Sequence, residues 1–406
     1  MIHYFNPGHE TAVLNASKHY YPPRQVVKMQ TDLAFLPAWY ASEGDFVFME
    51  TSLPDDFNLS LQPFNFRIKP VTPADLAGSR ELFEHSAVDL WGISPQSVHL
   101  FDQINKERSL SLALPQWKEE FRLLGSRFAS QEILAELITR FHEIDRDILP
   151  CFVSDIETIE QAIAQSREPL LVKSPYSSSG RGLLRLSPGK LAQSERQILT
   201  GMLKKQSRVS IEKLLDKRLD FSMHFEITLE RKTQFLGYSI FQTNAKGAYE
   251  KSRLAGQECL EKQIIRQIDA DTICRIRAAL TEKIQEIYSP YYTGVLGVDM
   301  LVYQSNDSLR LHPCVEINMR KSMGYLAIRL AEKYLPPDSQ GELVIDYNPD
   351  PQIIGKKYKQ MLMHYPPIIE DGRIRSGCLS LCPITDATNY YAYILIYSEQ
   401  ANRNPR

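Results

Sequence analysis

The sequence has no excess charge of either sign, little cysteine and no apolar run long enough to cross a bilayer. Lysine and arginine number 47 and aspartate and glutamate 49, whereas a nucleic-acid scaffold shows a basic excess. The longest apolar runs, such as residues 390–397, fall short of the roughly 20 residues that a membrane helix needs. The first residues also lack the charged and apolar regions of a signal peptide. We therefore expect a cytoplasmic protein with neither a nucleic-acid nor a membrane partner.

Cysteine is sparse, with six among 406 residues, and most of the six are scattered. Cys378 and Cys382 are four residues apart, but no second pair completes a zinc site. We expect reduced and mostly buried thiols. The chain also lacks internal repeats and low-complexity tracts. Its length corresponds to about two or three domains of roughly 100–200 residues each.

Three regions are predicted from the pattern of strands, helices and breakers. Residues 1–120 alternate short strands with helix starts, which predicts an α/β domain. Residues 121–335 are denser in strand and helix signals and form a second region. Residues 336–406 begin with prolines and end in two β-rich runs, which predict a small β-rich extension with a hairpin.

Four helix starts are predicted from side chains that can cap a helix. Thr72 and Ser94 each precede a proline at the first helical position. Ser126 is expected to cap a helix that runs from 127 to about 141. Ser154 and Glu157 are three residues apart, as in a capping box.

A loop rich in small residues occupies positions 174–182, between two short apolar strands. Backbone N–H groups in such a loop can surround phosphate oxygens, and Gly180 and Gly182 allow close approach. Lys173, at the end of the first strand, adds a positive charge. The loop is neither a Walker loop nor a Rossmann turn, because a strand and not a helix follows it. A flexible hairpin tip without function is an equally good interpretation of this segment alone.

Acidic side chains recur in a predicted hairpin between residues 295 and 318. Glu316 and Asn318 are two apart on a strand, so their side chains share a face. Asp299 can lie opposite Glu316 if the turn centres near Asp307, inside a turn-like cluster, and Pro313 predicts a bulge or an edge strand. Carboxylates and an amide oxygen suit Mg²⁺. The alternative is a polar hairpin face open to water.

Taken in order, these segments resemble the ATP-grasp superfamily, which includes biotin carboxylase and D-alanine–D-alanine ligase. The resemblance covers about residues 85–330. Gly125-Ser126-Arg127 is similar to the family's helix start, with arginine in place of the usual lysine. Residues 173–182 resemble the family's strand lysine and phosphate loop, and residues 211–215 resemble the hinge that holds adenine. Residues 316–320 match the pattern Glu-x-Asn-x-Arg.

The resemblance implies roles for particular residues. It assigns phosphate binding to Arg127, Lys173, Ser178, Ser179, Gly180 and Gly182. It assigns the adenine to Glu212, Lys213 and Leu215, and the ribose to Asp220, with Asp216 as a weaker alternative. Metal binding falls to Asp299, Glu316 and Asn318, and catalysis to Arg320 and Lys173.

The resemblance also implies an ATP-grasp fold, in which an N-terminal α/β domain precedes an ATP-grasp domain over 121–335 with two α+β subdomains, 121–205 and 206–335. The implied activity is that of an ADP-forming ligase, which joins a carboxylate to an amine or thiol through an acyl phosphate. The expected cofactors are ATP and one or two Mg²⁺ ions, for which Mn²⁺ can substitute. A small-molecule kinase and a non-catalytic ATP-binding protein remain open, as do the substrates, a homodimer and the role of residues 6–10.

Several further polar residues have no assigned role in the sequence. For His9 and His312 a structural role is the better interpretation, and His224 is a weak candidate for nucleotide contact. Lys251 and Arg253 lie in a segment similar to the family's substrate-side loop, where they could bind the acid or the phosphate. A solvated basic loop is an equally good interpretation of these two.

Overall fold

The structure, a computed structural model, describes residues 1–177, 180, 182–245 and 247–397. The predicted phosphate-loop residues Ser178 and Ser179 lie outside the described residues. The chain forms two compact units. Unit 1 comprises residues 1–118, 250–260 and the described residues from 320 onwards, and unit 2 comprises residues 119–249 and 261–319.

The N-terminal part of unit 1 is an α/β domain, as predicted. Its strands are β1 (Ile2–Tyr4), β2 (Phe46–Phe48), β3 (Lys69–Val71) and β4 (Val88–Leu90). Its helices are α1 (His9–Asn15), α2 (Arg24–Asp32), α3 (Asp55–Leu61), α4 (Pro73–Gly78), α5 (Arg80–Phe83) and α6 (Pro95–Arg108), with 3₁₀ turns at Leu36–Trp39 and Gln62–Phe64. The four strands form a parallel sheet in the order β3-β2-β1-β4, and short apolar strands of this kind suit a sheet that is covered on both faces.

Residues 119–319 contain two antiparallel sheets and six helices. The helices are α7 (Glu120–Leu124), α8 (Arg127–Arg140), α9 (Ile156–Gln165), α10 (Gln193–Gln206), α11 (Gln257–Ile265) and α12 (Ala270–Ile287), with a 3₁₀ turn at Arg146–Ile148. The strands are β5 (Cys151–Val153), β6 (Leu170–Lys173), β7 (Leu183–Leu186), β8 (Val209–Lys213), β9 (Asp216–Ile227), β10 (Thr233–Thr243), β11 (Tyr249–Leu254), β12 (Gly294–Ser305) and β13 (Ser308–Asn318). In unit 2 the strand orders are β5-β8-β6-β7 and β13-β12-β9-β10.

The C-terminal residues complete unit 1 with a second, antiparallel sheet. They form α13 (Met323–Tyr334), β14 (Gly341–Tyr347), α14 (Pro351–His364), β15 (Ile368–Glu370), β16 (Arg373–Ser380) and β17 (Tyr390–Ile396). Together with β11 these strands lie in the order β11-β14-β17-β16-β15. The predicted C-terminal hairpin is β16 with β17, in which Cys378 lies opposite Leu395.

One hydrophobic core joins the two ends of the chain within unit 1. It contains Leu33 and Trp39 from the N-terminal part and Leu326, Leu381 and Ile394 from the C-terminal part, all fully buried. Residues beyond 336 therefore complete the core of the N-terminal domain.

The caps confirm two predictions and correct two others. The side chains of Thr72 and Ser94 accept from the backbone N–H three residues later. Ser126 precedes α8 but makes no cap bond, because its hydroxyl donates to the Leu123 carbonyl at the end of α7, 2.6 Å away. Asp155, and not Ser154, caps α9.

Among the six cysteines, Cys314, Cys378 and Cys382 are buried, Cys259 is partly exposed, and Cys151 and Cys274 are exposed. The expectation of mostly buried thiols is therefore only half met. Across the described residues, every helix is too short or too polar to traverse a bilayer.

Candidate active site

The predicted metal-binding residues share one face of the unit 2 sheet. Asp299 on β12 lies opposite Glu316 on β13, which is the predicted register. Asn318 donates from Nδ2 to Asp299 Oδ2 over 2.9 Å. A register shift after Asp299 confirms the predicted bulge near Pro313. Directly opposed residues of antiparallel strands point to the same face, so two carboxylates and an amide converge on this face.

Helix α12 packs on the opposite face of this sheet. Tyr238 on β10 receives a hydrogen bond from Arg277 on α12, with 3.3 Å between Nη1 and the hydroxyl. Tyr238 pairs with Met223 on β9, which alternates with Ser222. Because Ser222 lies opposite Asp299, the acidic face is the one turned away from α12.

Arg127 links the acidic face to the phosphate loop. It begins α8, and its backbone N–H donates to the Pro175 carbonyl over 3.1 Å. Its guanidinium donates from Nε to the Ser174 carbonyl over 3.2 Å and from Nη2 to Glu316 Oε2 over 2.8 Å. The Arg127 side chain is only 9% exposed and that of Glu316 22%. A cation predicted for phosphate and a carboxylate predicted for metal therefore touch, although they are 189 residues apart.

Lys173 and Glu212 form a second ion pair between neighbouring strands. Lys173 Nζ lies 2.5 Å from Glu212 Oε2, and Ser210 donates to Glu212 Oε1 over 2.7 Å. Both charged side chains are nearly buried, at 8% and 10% exposure. Burial acts to raise the pKa of Glu212, but the charge of Lys173 outweighs it and holds the pKa below its ordinary value. The Glu212 carboxylate is thus ionised at neutral pH.

His312 is buried close to this pair. Burial first, and then the charge of Lys173, lower the pKa of His312 to about 3 despite the opposing charge of Glu212. The imidazole is therefore neutral. This location fits the structural role that the sequence favours for His312.

The two glycines of the phosphate loop adopt left-handed backbone angles. Gly180 has φ 71° and Gly182 has φ 80°. The Gly182 carbonyl accepts from the Ser174 N–H over 2.9 Å, and a Cβ at Gly182 would lie only 3.0 Å from the Ser177 Cβ. Glycine is needed at position 182 both for its left-handed φ and for the close approach of Ser177. There it closes the loop that Arg127 contacts.

The predicted adenine and ribose residues flank the connection between β8 and β9. Leu215 lies in the two-residue link between these strands, as a hinge requires. The Lys213 ammonium pairs with Asp147, which raises the pKa of Lys213. Asp220 contacts Lys217, and burial raises the pKa of Asp220. Asp220 precedes Ser222 by two residues on β9, so it shares the acidic face.

The donor set at Asp299, Glu316 and Asn318 fits a magnesium ion. The amide nitrogen of Asn318 donates to Asp299, so the amide oxygen of Asn318 is the atom that would bind a cation. No group of three histidine, cysteine, aspartate or glutamate side chains suited to a metal occurs among the described residues. A site with only two carboxylates is the type that Mg²⁺ completes with substrate phosphates and water.

Two further polar residues lie on the acidic face, His224, which the sequence analysis gave as a weak candidate for nucleotide contact, and Ser239, which it missed. Ser239 lies opposite Ser222, and His224 lies between Gly237 and Gly297 on the neighbouring strands. The Ser239 hydroxyl and both ring nitrogens of His224 are buried without a hydrogen-bond partner in the described structure. For His224 the signal was its spacing of four from Asp220 on one strand, whereas the place of Ser239 follows only from the register of β10 with β9.

The other predicted residues lie in unit 1. Arg320 donates from Nε to Glu10 and from Nη1 to the Lys321 carbonyl, the second bond being 2.9 Å. Lys251 pairs with Glu342 at 2.6 Å, and Arg253 donates to Gln340 over 2.7 Å. Both basic residues of β11 are therefore engaged by residues on or next to β14.

Solved structures of ATP-grasp enzymes are similar to this chain over nearly its whole length. Biotin carboxylase from Campylobacter jejuni, in complex with a β-γ-ATP ligand, has a TM-score of 0.52 at 10% identity, covering 98% of this chain and 87% of that one. The biotin carboxylase domain of 2-oxoglutarate carboxylase from Hydrogenobacter thermophilus, solved with MgADP, ADP and bicarbonate, has a TM-score of 0.50 at 9% identity, covering 97% and 86%.

N5-carboxyaminoimidazole synthetase from Staphylococcus aureus, complexed with ADP, scores 0.49 at 13% identity and covers 99% of this chain and 95% of its own. No protein-family model matches the sequence, and a search of curated proteins finds no match. Structural similarity at such low sequence identity is evidence about the fold only. The two structures at or above 0.50 and the motif order agree, and the chain has the ATP-grasp fold.

Proposed function

We propose that this protein is an ATP- and Mg²⁺-dependent ligase that forms ADP and joins a carboxylate to an amine or a thiol. The contact between Arg127 and Glu316 carries the proposal. It places a cation suited to phosphate between the phosphate loop and two carboxylates suited to a metal. A nucleotide triphosphate with its metal ion is the ligand that needs both at once.

The remaining residues of unit 2 have roles in holding the nucleotide. Lys173 and Arg127 neutralise phosphate oxygens, and Glu212 holds Lys173 in place through their ion pair. The backbone at Lys213 and Leu215 faces the adenine edge, and Asp220 binds the ribose hydroxyls. Asp299, Glu316 and Asn318 would hold Mg²⁺, which would supply neutralisation of the phosphate charge.

The chemistry has two displacements. A substrate carboxylate oxygen attacks the γ-phosphorus of ATP, and the bond to the β-phosphate oxygen breaks. The products of this step are ADP and an acyl phosphate. The amine nitrogen then attacks the acyl carbon, phosphate leaves, and the amine loses a proton. In both steps the protein positions groups and stabilises charge, and Arg320 stabilises the acyl phosphate and the oxyanion.

A screen of pooled acids and amines with MgATP, followed by ³¹P NMR, tests this proposal. We expect ADP and phosphate in equal amounts only when both an acid and an amine or thiol are present. In the reverse direction, MgADP with an acyl phosphate should give ATP. Glu316→Gln should abolish both reactions and leave the fold intact by circular dichroism.

Other outcomes identify the alternatives. A stable phosphate ester in place of free phosphate would indicate a small-molecule kinase. Tight binding of MgATP without turnover across the whole screen would indicate a non-catalytic nucleotide-binding protein. Undiminished turnover in Glu316→Gln would remove Glu316 from the metal site.

A further inference from the structure

We propose that Glu10 is a positioning residue that orients the guanidinium of Arg320 for the reaction. The inference rests on the proposed function, in which Arg320 stabilises the acyl phosphate. It concerns the segment of residues 6–10, which the sequence analysis left without a role.

The pair joins the first helix of the chain to a residue 310 positions later. Glu10 lies in the first turn of α1, and its Oε1 accepts from Arg320 Nε. Both side chains are mostly buried, at 10% and 17% exposure. Arg320 also donates from Nη1 to the Lys321 carbonyl. Because a guanidinium is planar, contacts at Nε and Nη1 together fix the direction of its plane.

Both partners of the pair are anchored on one segment, residues 89–92 at the end of β4. On one side, the Asn6 amide donates to the Gly92 carbonyl over 2.7 Å and its oxygen accepts from the Gly92 N–H over 3.1 Å. The ring of His9 packs on Gly92 so closely that a Cβ there would lie 2.4 Å from His9 Cγ. These contacts fix the start of α1, and with it Glu10.

On the other side, the same segment holds the residue that follows Arg320. The Lys321 N–H donates to the Trp91 carbonyl over 2.9 Å, and its ammonium lies 2.5 Å from Asp89. A shared anchor keeps the separation between Glu10 and Arg320 constant. Such rigid support from surrounding residues is what a catalytic side chain needs to hold its geometry.

The second carboxylate oxygen of Glu10, which has no hydrogen-bond partner in the described structure, favours a functional role over a structural one. Glu10 Oε2 is buried without a hydrogen-bond partner in the described structure, and so is Nδ1 of the adjacent His9. A buried ion pair is weak support for stability, and an unsatisfied polar atom beside it is a cost. An apolar residue at position 10 would avoid this cost but would leave Arg320 without its partner.

The substitution Glu10→Gln tests the proposal, with Asp32→Asn as a matched control. Asp32 forms another buried ion pair of unit 1, with Lys28, and has no place in the site. Turnover is measured forwards with the acid and amine found in the screen, and backwards as ATP formation from MgADP with acetyl phosphate or carbamoyl phosphate. We expect Glu10→Gln to lower kcat at least tenfold with the Kd for MgADP within twofold of wild type. Asp32→Asn should change neither.

A double-mutant cycle separates positioning from general damage. If Glu10 acts through Arg320, Glu10→Gln should add no further loss of kcat in an Arg320→Gln background. Asn6→Ala, which loosens the anchor and leaves the ion pair intact, should give a smaller loss of kcat and the same Kd. This variant keeps the test valid if Glu10→Gln does not fold.

Each result decides the matter. Wild-type kcat in Glu10→Gln, or an equal loss with and without Arg320, overturns the role of Glu10 and leaves the ligase proposal standing. A wild type that binds MgADP but reacts in neither direction overturns the ligase proposal, and the role of Glu10 falls with it.

Discussion

At the scale of single residues, Glu316 Oε2 both accepts a hydrogen bond from Arg127 and is a proposed ligand of the metal ion. Arg127 donates to this oxygen over 2.8 Å, and the same oxygen is a candidate ligand for magnesium. A guanidinium and a divalent cation compete for one carboxylate oxygen. When phosphate is present, the guanidinium has a second anionic partner, so nucleotide and metal are expected to bind more tightly together than separately.

Arg127→Gln tests this competition. We expect it to weaken ADP binding at least tenfold because a phosphate-binding charge is lost. The same change should strengthen binding of Mn²⁺ alone, since Glu316 loses its competitor. Free Mn²⁺ measured by electron paramagnetic resonance, with calorimetry for ADP, checks both effects. Arg122→Gln, at an exposed pair with Glu119, is the control. Unchanged or weaker Mn²⁺ binding in Arg127→Gln would contradict the competition.

Three buried histidines predict that acid destabilises the protein. Burial lowers the pKa of His9 to about 4, and those of His224 and His312 to about 3. Charged neighbours also act on two of them, Glu10 and Arg320 on His9 and Lys173 and Glu212 on His312, whereas burial alone acts on His224. The unfolded histidines bind protons near pH 6.5 and the folded ones do not, so stability falls as the pH drops below about 6.5.

His224→Phe isolates one of these contributions. Each histidine adds a slope approaching about 1.4 kcal/mol per pH unit below its unfolded pKa. Urea unfolding at pH 7.5, 6.5 and 5.5 should show a shallower loss of stability in His224→Phe than in the wild type. The window stays above the pH at which carboxylates titrate. An identical slope in the two proteins would mean that His224 is protonated in the folded state.

At the scale of elements, the sequence predicts those strands, turns and registers that depend on the local pattern of residues. Alternation and turn residues predict the β12–β13 hairpin and the opposition of Asp299 to Glu316. The turn lies one residue earlier than expected, at Asn306 and Asp307, because the bulge beside Pro313 places extra residues on β13. Ser126 shows the limit of rules based on local sequence. Its hydroxyl does not cap α8, because it donates to a carbonyl of the preceding helix.

Pairings between distant segments lie beyond such rules. Nothing local to Arg127 indicates Glu316, and nothing local to Glu10 indicates Arg320. The resemblance supplied a site for Arg127 and Glu316 by analogy, but their direct contact depends on how α8 packs on β13. The row of Ser222, Ser239 and His224 likewise depends on the register of three strands.

Gly297→Ala tests how tightly this row is packed. An added Cβ would lie 2.9 Å from His224 Cε1 and 3.1 Å from Nδ1, against a rigid and buried ring. We expect a loss of about 1–3 kcal/mol in the free energy of unfolding, and weaker binding of MgADP because Asp299 is two residues away. Equilibrium urea unfolding and calorimetry measure the two effects.

The control for this change is Gly201→Ala, in the exposed middle of α10, where an added Cβ meets nothing within 4 Å. It should stabilise the protein by about 0.5–1 kcal/mol through the backbone entropy of glycine. The pair Gly297→Ala/His224→Ala should recover most of the lost stability if the ring is the obstacle. No recovery would place the strain in the strand itself.

At the scale of the whole molecule, unit 1 is assembled from both ends of the chain. Trp39 shows how this works, because its ring contacts Phe64 and Tyr334 edge-on and its Nε1 donates to the Leu381 carbonyl over 2.7 Å. One fully buried side chain thus connects the N-terminal domain, α13 and the link between β16 and β17. Sequence patterns predicted the N-terminal domain and the C-terminal hairpin but not α13, and the union of the three into one core is a long-range result that no local signal encodes.

Trp39→Phe should therefore weaken unit 1 as a body. The change removes the hydrogen bond to Leu381, leaves its buried carbonyl unpaired and opens a cavity, for a cost of about 2–4 kcal/mol. Urea unfolding followed by circular dichroism measures the loss, with Trp117→Phe, at a partly exposed position, as the control. MgADP affinity at 25 °C should stay within twofold of wild type, because the nucleotide residues belong to unit 2. Wild-type stability in Trp39→Phe would show that the two ends of the chain are held together by contacts other than this ring.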